Sequence, residues 1–261
     1  MPTTLETLAS NYQRRQDTIA EKVLRSLVTW WAGVEAPKLS NPGPLFDQYR
    51  TLVTSGRADS IRAAQDFHTE SRRLALGNGS PARSVLNGAT ADTENVRAAF
   101  YDIVDNSIRG RLDDPDFIAE LDRLVFAPLS SSAEDLTLRA GRDILSHARK
   151  ADTEVIGYYR KTEPDPCGFC AMLASRGLVY GATRNAGFAS RLYVDNENPD
   201  RYHAHCRCQT LPLFRGQSMP AEDRALAERY LAQWKATPGK GQKQMDAFMA
   251  AVNSARKESN A

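Results

Sequence analysis

Pro166-Cys167-Gly168-Phe169-Cys170-Ala171-Met172-Leu173-Ala174-Ser175 and, further on, Tyr202-His203-Ala204-His205-Cys206-Arg207-Cys208 contain all 4 cysteines of the 261-residue chain. Two close thiol pairs separated by a long segment read as the two halves of one crosslinked knot. A knot requires the chain between them to return on itself. These stretches therefore place a small, mixed module inside a sequence that is otherwise patterned for helices.

A metal, disulfides, a redox dithiol or buried reduced thiols could account for the pairs. A structural zinc site takes four ligands at tetrahedral corners, commonly two from each of two short segments. Cys167, Cys170, Cys206 and Cys208 supply four, and His203 can replace one. If residues 203–208 are extended, alternation puts Cys206 and Cys208 on one face and His203 and His205 on the other. That parity favours four sulfurs, whereas a bend before Cys206 would admit His203.

Disulfides would have to run between the segments, because a Cys-x-Cys pair fits its own bridge poorly. Met1 to Thr18 is polar and lacks the apolar core of a secretory leader, so folding in a reducing compartment is expected. A redox pair is suggested by Cys167-Gly168-Phe169-Cys170 preceding the helix-like run Ala171 to Ser175, where the helix dipole favours thiolate. No thioredoxin-like βαβ pattern surrounds it, and Cys206 and Cys208 would be unused.

Pro166-Cys167-x-x-Cys170 also matches half of the zinc deaminase signature. The other half, an upstream His-x-Glu that moves protons for zinc-bound water, is missing, since His147 is followed by Ala148 and Arg149. A closed structural site is expected in place of an open catalytic one.

The chain upstream of the knot reads as helical. Leu8, Tyr12, Ile19, Val23 and Leu27 share one face of a helix over residues 4–32, closed by Trp30 and Trp31, both assigned to the core. Three prolines and two glycines between Gly33 and Pro44 mark a connection. A second helix follows over 45–76 with an interruption near Ser55-Gly56; Ile61, Ala64, Phe67, Ser71 and Leu74 form its stripe, and His68 lies on the stripe's edge, packed or solvated. Gly77 to Ala91 reads as a mobile loop.

Val96, Phe100, Ile103, Val104 and Ile108 define the next helix, and Asp113-Asp114-Pro115-Asp116 starts a short one by capping. Ser131-Ser132-Ala133-Glu134 fits a capping box for a helix reaching Lys150.

From Val155 the pattern changes. Val155 to Tyr159, Leu178 to Tyr180, Leu192 to Val194 and Gln209 to Phe214 are strand candidates, the last confined by Pro212 to an edge or an end. Ser218 with Pro220 opens a helix with Leu226, Tyr230 and Trp234 on one face. Met245, Phe248, Met249 and Val252 stripe the final helix, and fraying is expected after Arg256. These last stripes would either fold back on the bundle or hold a second copy of the chain.

The expected fold class is thus α+β, predominantly α. A helical bundle or arm over 1–150 is followed by a cysteine-pinned module over 151–217 and two helices with a tail over 218–261. A hydrophobic fraction of 41%, a charged fraction of 25% and a net charge of only +2 are ordinary for a globular chain and give no global signal for nucleic acid. Arg14-Arg15 and Arg72-Arg73 are weak candidates for contact with DNA and read first as solvated helix faces. No apolar run approaches bilayer length.

The string from Pro166 to Gly177, followed by Tyr202 to Cys208 and an apolar strand, resembles the MuF-like minor capsid proteins of tailed phages, most closely those infecting actinobacteria. The family has a Cys-x-x-Cys and, later, a histidine three residues before Cys-Arg-Cys, matched here by Cys167, Cys170, His203, Cys206, Arg207 and Cys208. The proline that commonly follows that histidine is Ala204 in this chain. The close match spans about residues 155–214.

The resemblance implies a head-morphogenesis protein of the virion interior, assembled in the host cytoplasm. Its implied partners are the portal protein and the major capsid protein, with packaged DNA a further one. Some relatives are labelled capsid maturation proteases, so a cysteine- or metal-dependent hydrolase is the alternative. No nucleophile, base and orienter set maps onto this sequence, so a structural role is expected first.

Overall fold

The computed structural model describes residues 4–77, 93–178 and 206–259. The described chain is predominantly helical with one small antiparallel sheet, as the sequence pattern predicts. The predicted loop over 78–91 and the strand candidates at 179–180 and 192–194 lie outside the described residues; Leu178 itself is in a bend.

Helix α1 (Leu5–Trp31) starts where the Thr4 hydroxyl accepts the Thr7 N–H, the usual remedy for an unpaired donor at a helix start. Ala9, Tyr12, Ile19, Val23 and Leu27 are buried at three- to four-residue spacing. Trp31 is buried, stacks on Phe126 and donates its indole N–H to Asp122 at 2.6 Å; Trp30 is half-buried against the same core. A single 3-10 turn, Ala36–Ser40, forms within the connection.

Helix α2 (Gly43–Leu76) is continuous, and the expected interruption at Ser55-Gly56 is not there. The glycine has a different purpose. A Cβ on Gly56 would come within 2.4 Å of Val23 Cγ2 on α1 and 3.0 Å of Thr137 Cγ2, so its bare face lets neighbouring helices close on α2. Gly77, with φ of 72°, ends the helix in the left-handed region.

Helix α3 (Thr93–Ile108) buries Val96, Phe100 and Val104. The short α4 (Pro115–Ala119) is capped by the Asp114 carboxylate, which accepts the Asp116 N–H at 3.0 Å. A π-turn over Asp122–Phe126 runs directly into α5 (Ala127–Ala151).

The capping box at Ser131 to Glu134 is therefore absent: these residues lie inside α5, and Pro128 occupies its first turn. A proline at that place is tolerated because its missing N–H would be unpaired anyway. Glu134 is instead drawn away to a partner described below.

Strand β1 (Val155–Lys161) pairs antiparallel with β2 (Gln209–Phe214), Tyr159 opposite Leu211 and Arg160 opposite Thr210, with an irregularity between Val155 and Gly157. Pro212 lies opposite Tyr158; in a two-stranded sheet each strand has an outer edge, which is where a residue without an N–H is accepted.

Between the strands lies α6 (Gly168–Ala174), the helix after the first cysteine. Helix α7 (Ala221–Ala236) begins after Pro220 with no side-chain cap, so Ser218 does not have the capping role expected of it. Helix α8 (Gln242–Ser259) continues past Arg256, where fraying was expected.

Among the described residues three apolar clusters form, apart from the one made by the cysteines. One joins the C-terminal half of α1 and the N-terminal half of α2 to α3, α4 and the start of α5. A second joins the other ends of α1, α2 and α5 to Tyr159, Leu211 and Leu213 of the sheet. A third is built from Ala171, Met172, Leu173, Tyr230, Phe248 and Val252 of α6, α7 and α8. The C-terminal stripes are thus covered by the helix that carries the first cysteine pair. No described helix is long and apolar enough to cross a membrane.

Candidate metal centre

The sulfurs meet where α6, the approach to β2 and β1 come together. Cys167 is the N-cap of α6, with φ −65° and ψ 160°, and its Sγ accepts the Cys170 N–H at 3.4 Å. Cys170, one turn in, points the same way. Cys206 and Cys208 precede β2, and the Sγ atoms of Cys170, Cys206 and Cys208 all lie within 4.8 Å of one another.

Those three residues are 0%, 4% and 1% exposed, and Cys167 packs against them half-buried. Cys170 Sγ and Cys206 Sγ are 3.4 Å apart. A disulfide holds its sulfurs at about 2.05 Å, and none of the four cysteines is in one. Tetrahedral zinc with Zn–S bonds of about 2.3 Å separates its ligand sulfurs by about 3.8 Å. The spacing fits thiols gathered around a common centre.

The period-two reading of the second pair holds for its described part. Cys206 and Cys208 share the sulfur side, while Arg207 points to the helices, its Nε donating to Glu134 Oε1 at 2.9 Å and its Nη1 to Glu21 Oε1 at 3.3 Å. Gln13 Nε2 donates to the Arg207 carbonyl at 2.7 Å, and Arg142 Nη2 donates to the carbonyls of Cys206 and, at 3.1 Å, Cys208. The Cys-Arg-Cys segment is thus fastened to α1 and α5 through its side chain and its backbone. His203 and His205 lie outside the described residues.

A buried cation completes the cluster. Arg160 on β1, 3% exposed, directs Nη2 at Cys170 Sγ (3.3 Å) and Cys206 Sγ (3.8 Å). The largest influence on Cys170, its contact with Cys167, raises its pKa. Hydrogen bonds from Cys206 and Cys208 and the charge of Arg160 outweigh it, and the thiol lies well below the usual range. Hydrogen bonds to Cys170 and Cys206, with burial, push Cys208 well above it. Its neighbours thus favour the thiolate form of Cys170, the form that binds a soft cation.

A family model described as VG15 protein matches residues 3–257, nearly the whole chain. The chain belongs to the VG15 protein family. This is a family of phage or viral gene products, which marks the chain as a phage-related protein. Neither the curated proteins nor the solved structures gave a match. Within this family member, His68 and the basic pairs singled out from sequence have their partners elsewhere than the sulfurs.

His68 is fully buried between α2 and the sheet, 3.7 Å from Asp152 and edge-on to Phe214. Burial lowers its pKa to about 4, against the pull of the Asp152 carboxylate and with the push of Arg72. Arg15 pairs with Asp66, Arg72 with Asp152 and Arg73 with Glu70, while Arg14 donates to Asn11. These pairings suit helix faces that satisfy their own charge.

Arg142, Arg160, Gln13 and Glu134 are the site residues that sequence patterning missed. One signal was present for Arg160: a guanidinium interrupting a run of strand formers, at a position buried on both faces of the strand. Glu134 was recognised as special but given a local role, because a capping box needs only neighbours whereas its actual partner is 73 positions away.

Proposed function

We propose that this protein is a MuF-like minor capsid protein that acts structurally in head morphogenesis, between portal and major capsid protein inside the phage head. The observation carrying this reading is the convergence of the motif cysteines into a buried brace within a chain of the VG15 family. The brace joins the cap of α6, the entry to β2 and, through Arg142 and Arg207, the long helices. Such a unit presents helical surfaces held at fixed angles, which suits an assembly component.

Zinc is the ion best matched to the donors, with Cys167, Cys170, Cys206 and Cys208 as ligands and His203 as the alternative fourth. When bound, it would supply crosslinking bonds between chain segments. Three of the sulfurs are closed off from solvent, a poor arrangement for a nucleophile that must meet a polypeptide substrate.

Deleting the gene and following head assembly separates the two readings. A structural protein is recovered in assembled heads and in pull-downs with portal and major capsid protein, and its loss leaves capsid and scaffold processing intact. Loss of processing, reproduced by alkylating folded protein, would establish the protease alternative instead.

A further inference from the structure

The two nitrogen-to-sulfur contacts of Arg160 concern the charge of the site, which a ligand count alone does not address. A divalent ion held by four thiolates has a net charge of −2, and a buried, uncompensated charge is costly. A cation placed beside the sulfurs lowers that cost without occupying a coordination position. Arg160 has this placement: it sits on β1 opposite Thr210, it is 3% exposed, and one of its nitrogens faces two sulfurs from different segments. A planar guanidinium with several fixed donors can span two acceptors, as a lysine ammonium on its flexible stem does less well.

Cys167 contributes the second half of the argument. Its Sγ already accepts a backbone N–H from Cys170, and the residue packs half-buried at the edge of the Cys170, Cys206 and Cys208 cluster, whose three sulfurs alone lie within 4.8 Å of one another. A hydrogen bond from N–H to sulfur favours the ionised form. The site therefore offers charge stabilisation to sulfurs on both sides, from the α6 backbone at Cys167 and from Arg160 at Cys170 and Cys206.

We propose that Arg160 is a positioning and charge-balancing residue that fits the site to a soft divalent cation held by a full four-thiolate set, Cys167, Cys170, Cys206 and Cys208. This deepens the metal reading given above and rests on it. It assigns Cys167, and not His203, as the fourth ligand. It also makes the affinity of the site depend on a residue that touches no metal.

The test uses the reduced full chain with zinc or cobalt(II) alone as probe. Zinc affinity is read by competition with a chromophoric chelator, and the number of thiolates from the sulfur-to-cobalt charge-transfer absorption. Arg160→Met is expected to weaken zinc binding by about 10- to 100-fold, the usual scale for groups supporting metal ligands, while the cobalt spectrum keeps its four-thiolate intensity. Arg160→Lys should recover part of the affinity. Cys167→Ser should lower the charge-transfer intensity and His203→Ala should not.

Arg160→Gln, a neutral side chain that keeps an N–H donor, carries the comparison if the methionine variant does not fold. Unchanged zinc affinity in a folded neutral variant overturns the role of Arg160 and leaves the metal site standing. Loss of cobalt absorption in His203→Ala with Cys167→Ser unaffected overturns the four-thiolate set. A folded, reduced wild-type chain that takes up neither ion overturns the metal reading itself.

Discussion

The α1–α2–α5 bundle and the sulfur-centred part of the molecule differ in how much of their cohesion is apolar contact and how much is tied to a few polar atoms. In the bundle, contacts are numerous and individually small: Tyr49, Val53, Phe100, Val104 and Leu129 are all essentially inaccessible, and Gly56 and Gly141 let the helices approach closely. Around the cysteines, α6, α7 and α8 share a smaller apolar cluster, and the sulfurs with a few polar side chains tie α6 to the strands and the long helices. Apolar burial spreads stabilisation over area and degrades gradually, whereas a coordinated centre concentrates it in a handful of bonds. The two regions should therefore fail differently, and they meet through a shared apolar cluster at the sheet and a few identifiable polar residues.

The largest difference should follow removal of the proposed metal or of one of its sulfurs. Chelation, or Cys206→Ser, is expected to abolish hydrogen-exchange protection in α6, α7, α8 and β2 while α1, α2 and α5 keep most of theirs. Uniform loss across the chain would mean that the two regions are one cooperative unit with no separate clasp.

Next is the joint between them. Glu134, 1% exposed, is bonded to Arg207, whose side chain is 24% exposed. Removing one partner of a buried pair costs about 3–5 kcal/mol, and the partial exposure of Arg207 sets the expectation at the lower end, about 3 kcal/mol for Glu134→Ala by denaturant unfolding. Glu134→Gln, which keeps an acceptor, should lose less.

His68, packed between α2 and the sheet beside Asp152 and Phe214, gives a second contact a pH dependence. Its folded pKa of about 4 is below the ordinary 6.5, because burial disfavours the charged ring. Between those values the unfolded chain binds more protons, so this contribution is intact above about pH 6.5 and is lost as the pH falls to about 4, amounting to about 3 kcal/mol at most. His68→Leu should flatten that segment of the stability profile. An equally steep profile in the variant would assign the effect to other groups.

The smallest expected effects come from glycines, and they compare the two regions directly. A Cβ on Gly56 meets a side-chain methyl of Val23 at 2.4 Å, whereas one on Gly168 meets backbone of Met249 at 2.5 Å. Both Gly56→Ala and Gly168→Ala overpack and should cost about 1–3 kcal/mol. The second should be the more selective, loosening α8 from α6 and breaking the Gly168 N–H bond to Asn253 (2.8 Å), with little change in the bundle. Equal effects on both regions would erase the distinction.

The long helices were legible because their buried faces recur at a local spacing: Tyr12, Ile19, Val23 and Leu27 identify α1 with no knowledge of their neighbours. The side shared by Cys206 and Cys208 was legible for the same reason, since alternation is also a local rule. Gly56 was misread as a break, Glu134 as a cap and Ser218 as a helix start. In each case the local chemistry was sound but a partner distant in sequence, or a proline already in place, decided the outcome. Arg142 and Arg160 could not be read as site residues at all, because their role exists only once α5, β1 and the Cys-Arg-Cys segment have come together.

The most direct test of the clasp is elemental analysis of the purified chain under reductant, with free thiols counted in parallel. One zinc ion per folded chain, absent from Cys170→Ser, is the expected result. A folded chain that carries no metal and reacts at all four cysteines with a thiol reagent would contradict the account, as would sulfurs found paired in disulfides.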